Sequence, residues 1–199
     1  GMTECGPLIS FTPAPEYKTG SCGRYISARL ECKIDSDDPE KVAGEILVRG
    51  GHVMKGYYKN PDATKKVLEQ DGWLHTGDMG TMDPDGTLYI RGRSKTMILS
   101  ANGQNIYPEE IEDKLNNLPY VQECIVVQRD AKLYGLVYPD PDLIKKNNTS
   151  HKELEEIMEE NRKILNTQIP AYEQVAGIIL QEEEFEKTPK RSIKRFLYS

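Results

Sequence analysis

No apolar run in these 199 residues approaches the roughly 18 that a membrane-spanning helix needs. The first residues show no basic segment followed by an apolar stretch, so neither a membrane span nor a secretory leader is expected. Cysteine is scarce: Cys5, Cys22, Cys32 and Cys124 form no C-x-x-C pair, and no histidine stands beside them at zinc-ligand spacing. That excludes a zinc finger and a dithiol redox motif, and it predicts reduced, partly buried thiols in a cytoplasmic protein. An excess of positive charge is also missing. The formal net charge of -6 argues against a general nucleic-acid binder, and no nucleic-acid partner is expected. Residues 188–199 reverse the sign locally through Lys190, Arg191, Lys194 and Arg195, which suits steering of a small polyanion. What remains is ordinary for a globular chain: 37% hydrophobic and 29% charged residues, enough to bury one large core or two small ones.

The pattern changes near Arg93. Before it, extended stretches at 25–34, 44–48 and 87–90 alternate with turn residues, and Asp83-Pro84-Asp85-Gly86 is a strong hairpin signal. Between them, Asn60 and Pro61 suit the cap and first turn of a helix running to about residue 70. After Arg93, Pro108-Glu109-Glu110 opens a helix to about Asn117, because proline and acidic residues favour a first turn. Extended runs at 121–128 and 132–138 flank a short turn. Residues 139–150 read as a polar loop, and Ser150 caps a helix whose Leu154, Ile157, Met158, Ile164 and Leu165 recur at helical spacing. A strand follows at 175–181. The expected fold class is α+β: a β-rich, barrel-like subdomain over 1–92, a hinge at 93–96, and a small mixed α/β C-terminal domain over 97–199.

Four segments carry chemistry, and their order strengthens each. They are Met2-Thr3-Glu4-Cys5-Gly6; Gly44-Glu45-Ile46-Leu47-Val48-Arg49-Gly50 with Val53-Met54-Lys55-Gly56-Tyr57-Tyr58 behind it; Gly72-Trp73-Leu74-His75-Thr76-Gly77-Asp78 followed by Tyr89-Ile90-Arg91-Gly92-Arg93-Ser94-Lys95; and Gly103-Gln104-Asn105-Ile106-Tyr107-Pro108-Glu109-Glu110-Ile111-Glu112. T-G-D alone is weak. In sequence with Y-I-x-G-R-x-K and G-x-N-I-x-P-x-x-I-E, it resembles the adenylate-forming superfamily of acyl-CoA synthetases, peptide-synthetase adenylation domains and luciferases. The resemblance spans essentially the whole chain.

It implies a two-step reaction using ATP, Mg²⁺ and coenzyme A, in which a carboxylic acid becomes an acyl-adenylate and is passed to a thiol. In the family's pattern Asp78 would accept hydrogen bonds from both ribose hydroxyls, and Arg93 would donate to ribose or phosphate oxygens. Thr3 would meet the α-phosphate and Glu4 would help hold Mg²⁺, although both are expected to be disordered at the end of the chain. Lys95 matches the hinge, and its place where composition changes supports that match independently. The loop carrying Gly103, Gln104 and Asn105 resembles the segment that lines the thiol tunnel.

One departure stands out. The family's last motif carries a catalytic lysine in Gly-Lys-[Ile/Leu]-x-Arg. Aligning on Ile193 and Arg195 puts Ser192 in its place. Lys194, reached by a local register shift, is the residue expected to supply the cation, with Lys190 or Arg191 as alternatives. The family's phosphate-gripping loop and acyl pocket are not in this sequence. The chain is therefore expected to be a C-terminal fragment of a bacterial long-chain fatty acid–CoA ligase, inactive alone and partnered by a missing N-terminal domain of the same protein. Two rival readings stand beside it: a non-catalytic nucleotide- or partner-binding module, and an adenylation domain that loads a carrier-protein thiol.

Overall fold

Alternation of apolar and polar residues builds the first sheet. In β3 (Leu30–Asp35) and β4 (Gly44–Gly50), Leu30, Ile34, Ile46 and Val48 point to one face. The computed structural model describes residues 1–13, 15–100 and 102–198. They divide into two compact units, residues 1–95 and 96–199.

In the first unit, β1 (Ser10–Phe11) pairs with β2 (Arg24–Tyr25). The main sheet has the order β3-β4-β5-β6, with β5 spanning Leu74–Met82 and β6 spanning Leu88–Arg93, all antiparallel. Cys32, Val48 and Leu74 stand opposite one another across it. Its inner face joins Leu30, Ile34, Ile46, Val48, Leu74 and Leu88 to Cys5 and Ile9 in one core. Each such side chain contributes about 1.5–3 kcal/mol. On the outer face Trp73 lies between Lys33 and Arg49, whose charged groups sit 4.3 and 4.6 Å from the ring centroid. The sheet stays open, with β3 and β6 at its two edges, so the expected barrel does not close.

The helix expected to reach residue 70 is shorter: α1 covers Pro61–Lys65. Beyond Lys66 the backbone is drawn to β5 instead, where Val67 O accepts the His75 amide (2.7 Å) and Leu68 bridges Leu74. At the other end of β5, Lys18 clamps Asp83 (2.7 Å) and Asp85 (2.8 Å) of the hairpin turn, and Gly86 supplies its positive φ of 83°.

The second unit opens with β7 (Ile98–Leu99) and β8 (Asn105–Ile106), then α2 (Pro108–Asn116). A hairpin of β9 (Val121–Arg129) and β10 (Lys132–Pro139) turns at Asp130 and Ala131, both at positive φ, as a two-residue hairpin requires. Helices α3 (Pro141–Asn147) and α4 (His151–Thr167) lead to β11 (Val175–Leu180), parallel to β10, giving the order β11-β10-β9. Ile111, Leu115, Val126, Val137, Leu154, Met158 and Leu165 form the core between helices and sheet. On the opposite face Ile125, Val127 and Leu136 meet Phe185, with Ile193 and Tyr198 of the tail beside them. This double burial explains why four consecutive residues of β9 are buried. α3 replaces the loop expected at 139–150. Asp140 accepts the amides of Asp142 and Leu143, Pro141 takes the first turn, and Asn148 ends the helix at φ 51°. Among the described residues no helix is long and apolar enough to cross a membrane.

The Ser150 cap is a full capping box: its hydroxyl accepts the Glu153 amide, and Glu153 accepts the Ser150 amide at 2.8 Å. Ser150→Ala should cost about 1 kcal/mol. In a unit of this size that lowers its Tm by roughly 4–8 °C in a thermal melt.

Candidate functional site

The T-G-D segment is a bulge rather than a plain turn. Glu45 of β4 faces Met79 and Leu47 faces His75, so Thr76, Gly77 and Asp78 together oppose Ile46 alone. Side chains satisfy the backbone this leaves over. Thr76, buried, donates its hydroxyl to Ile46 O (2.7 Å) and accepts the Asp78 amide (3.1 Å). The Gly77 amide donates to Glu45 Oε1 (2.8 Å), and Gly77 O accepts the Ser94 amide (3.0 Å). Gly77 sits at φ 74°, which favours glycine.

The bulge presents Asp78 at the end of the β5–β6 pair. Its register partner is Arg93, whose Nη1 donates to Asp78 Oδ1 at 2.5 Å. The carboxylate is partly sheltered and the guanidinium mostly exposed. Two of the sequence-expected nucleotide ligands are thus brought together, and Lys95, exposed, ends the same unit two residues later.

Thr3 and Glu4 are ordered, against expectation. Thr3–Cys5 forms a 3-10 turn because Cys5 is fully buried in the sheet core and anchors it. Glu4 O accepts the Met54 amide (2.8 Å), and Glu4 Oε1 accepts the Tyr57 hydroxyl (3.0 Å). Thr3 is exposed. Mg²⁺ is usually held by one or two carboxylates together with substrate phosphates. Glu4 fits that mode, and among the described residues no group of three His, Cys, Asp or Glu offers a closed metal cage.

On the second unit the loop between β7 and β8 is closed by bonds of the Ser100 carbonyl to the Gly103 amide (3.0 Å) and of the Ser100 hydroxyl to the Gln104 amide (2.9 Å). Gly103, at φ 80°, has nothing within 4 Å of where a Cβ would stand. Gln104 is exposed, and Asn105 pairs with Leu99 in β8.

The basic tail forms a small hairpin. Lys187 bridges Ile193, and the Thr188 amide donates to Ser192 O at 2.8 Å. Its cations are unequally committed. Lys187 pairs with Glu123 and Glu184, and Lys194 pairs with Glu186 at 3.0 Å. Arg195 donates from both ends of its guanidinium to Glu112, which is buried and also accepts the Val126 amide at 2.6 Å. Lys190 and Arg191, exposed at the tip, have no ion pair among the described residues. Arg191 has a positive φ of 61° where the family pattern has glycine.

Sequence reasoning missed two networks. One is the Glu112–Arg195 pair, 83 residues apart, which joins the last residues of two motifs. Burial pushes the Glu112 carboxyl up, while Arg195 and the Val126 amide pull it back. The other is His75, whose Nδ1 meets Glu45 Oε2 at 2.8 Å and whose Nε2 meets Glu69 Oε1 at 2.7 Å. The Glu45 bond, followed by that of Glu69, raises the pKa of His75 against the partial burial that lowers it. His75 and Glu45 both lie inside quoted motifs, but nothing in one dimension shows that they touch.

Comparison with known proteins agrees with these motifs. The model of the AMP-binding enzyme family matches residues 1–58, and that of the AMP-binding enzyme C-terminal domain matches residues 95–198. A long-chain-fatty-acid–CoA ligase of Escherichia coli O157:H7 is 46% identical over 158 residues, covering 74% of this chain and 28% of the relative. A 2-methylpropanoate–CoA ligase of Humulus lupulus is 33% identical over 99% of this chain and 38% of its own length. The chain therefore spans only about a quarter to two fifths of these relatives. The o-succinylbenzoate CoA synthetase of Bacillus subtilis, solved with its acyl-adenylate intermediate, matches with a TM-score of 0.78 and 29% identity over 100% of this chain and 40% of that one. The chain belongs to the AMP-binding family of adenylate-forming enzymes, the family that contains the acyl-CoA ligases.

Proposed function

We propose that this chain is the C-terminal portion of an ATP-dependent acyl-CoA ligase that activates a fatty acid. The observation that carries the reading is Asp78 on its side-chain-satisfied bulge, a carboxylate held beside Arg93 with its backbone already bonded. Such a carboxylate accepts from a vicinal diol without first reorganising, which is the condition for efficient positioning. In the reaction a carboxylate oxygen attacks the α-phosphorus of ATP and the bond to pyrophosphate breaks. The coenzyme A sulfur then attacks the acyl carbon and the bond to AMP breaks.

Within this reading Asp78 orients the ribose, Arg93 donates to ribose or phosphate, Thr3 meets the α-phosphate, and Glu4 holds Mg²⁺, which supplies charge neutralisation when bound. Tyr57 keeps the Glu4 carboxylate aimed. Lys95 is the hinge, and the Gly103–Gln104–Asn105 segment lines the thiol path. Lys194 supplies the cation for adenylation, exchanging Glu186 for phosphate oxygens. The preference for fatty acids rests on the likeness to the long-chain ligase.

The test is acid-dependent AMP release by the intact gene product with ATP, Mg²⁺, coenzyme A and carboxylates of increasing length. Activity should favour long chains and fall about 10²–10³-fold in Lys194→Ala, the loss expected when a positioned charge is removed. Ser192→Lys should raise the rate. An active Lys194→Ala beside an inactive Lys190→Ala or Arg191→Ala would move the cation to the hairpin tip. No activity in any sample would sink the ligase reading.

A further inference from the structure

Glu45 divides its two oxygens between the Gly77 amide and His75, and His75 passes on to Glu69. A neutral imidazole donates from one nitrogen and accepts at the other. Here both ring nitrogens face carboxylate oxygens at 2.7–2.8 Å, so both must donate and the ring is an imidazolium. Glu45 reaches it from β4, and Glu69 from the segment between α1 and β5. Lys33 of β3 stands opposite Leu47, which stands opposite His75. Lys33 and Arg49 both lie against Trp73, and Arg49 is also paired with Glu31. The ring is thus the cation that lies directly between two carboxylates. Without its second proton one of them loses its donor, and the two anions face each other across a neutral ring.

We propose that Glu45 is a positioning residue for Asp78 and that the protonation state of His75 sets its grip. The protonated ring holds the Glu45 carboxylate under the Gly77 amide, one residue before Asp78, and deprotonation loosens the bulge. The clamp stands on geometry alone. Its consequence for ligand binding rests on the nucleotide reading of Asp78. The sign follows from the raised pKa of His75: the clamp is intact below the ordinary histidine value and fails as pH rises through the raised one.

The experiment follows the His75 ring nitrogens and the Gly77 and Asp78 amides of the 199-residue chain by nitrogen-15 NMR. The titration starts below the ordinary histidine value of about 6.5 and runs upward until the His75 ring has lost its second proton. AMP affinity of the intact gene product is measured by calorimetry across the same range. The Gly77 and Asp78 amides should shift in one step with the midpoint of the His75 ring, and the Kd for AMP should rise about tenfold across it, the worth of one charge-assisted hydrogen bond. Glu45→Gln keeps an oxygen for the Gly77 amide, so it should hold AMP within a few-fold of wild type at low pH while lowering the His75 midpoint. Glu45→Ala should weaken AMP throughout and erase the step. Should Glu45→Ala fail to fold, His75→Gln decides: it must abolish the step, and a step that persists overturns the clamp. A Gly77 amide that stays still while His75 titrates also overturns it. If the intact gene product binds no AMP while Gly77 follows His75, the clamp stands and the nucleotide reading falls.

Discussion

Arg195→Ala should destabilise the second unit by about 3 kcal/mol, the low end of what removing one partner of a buried ion pair costs. The low end applies because Arg195 is itself partly exposed, whereas the Glu112 side chain is 8% exposed. The variant leaves Glu112 with the Val126 amide alone, its carboxylate buried and without a counter-ion. In a unit of about 100 residues the loss lowers Tm by roughly 12–24 °C. The penalty should depend on pH in a defined direction. Burial already pushes the Glu112 carboxyl up, and without Arg195 it rises further above its unfolded value. A carboxyl raised in the folded state is least costly below its unfolded pKa of about 4.3 and most costly above the raised one. Thermal melts near pH 4 and pH 8 should therefore show a small gap from wild type at the acid end and a large one at the other. Arg195→Met combined with Glu112→Gln should recover part of the loss, because a neutral amide needs no counter-charge and its oxygen can still accept the Val126 amide. An Arg195→Ala protein melting with wild type at pH 8 would mean that the pair is not formed in solution.

Asp78→Ala should act on the other property, activity without stability. If the carboxylate accepts from two ribose hydroxyls, each bond to a charged group is worth about 1.5–3 kcal/mol. The pair then corresponds to a loss of about 10²–10⁴ in kcat/KM for ATP, at 1.4 kcal/mol per tenfold. Asp78→Asn keeps one acceptor oxygen and should lose about tenfold. The melting temperature should hardly move, because the Arg93 guanidinium it pairs with is mostly exposed and pairs open to water contribute about 0–1 kcal/mol. Kinetics of the intact gene product, with melts of the same samples, give both numbers. An Asp78→Ala enzyme within a few-fold of wild type would remove the ribose role.

The two substitutions mark which motif residues the sequence could place and which it could not. Asp78 and Arg93 stand out through the family resemblance, since a T-G-D followed by G-R-x-K keeps its order whatever the fold does. Helix caps were equally local. Asn60 with Pro61 and Ser150 with Glu153 act within three residues, so their chemistry is written in consecutive letters. The α3 helix could have been read the same way from Asp140-Pro141-Asp142, and only the polar composition around it hid the cap.

Arg195 shows the other kind of residue. By motif it belonged with the catalytic tail, but the structure spends its guanidinium on Glu112, 83 residues away. Thr3 and Glu4 were misjudged for a related reason. Nearness to a chain end suggested fraying, whereas burial of Cys5 fixes the turn, and burial is not a local property.

By itself the sequence determined the order of motifs, the helix caps, the hairpin turns and the family, because each depends on neighbours along the chain. Tertiary structure alone decided that α1 stops at Lys65, that the first sheet stays open, that T-G-D is a bulge, and that Glu45, His75 and Glu69 meet beside it. Those outcomes are settled by strand register and by which charges are left without water. Both arise only when segments 30 or 83 residues apart are brought within hydrogen-bonding distance.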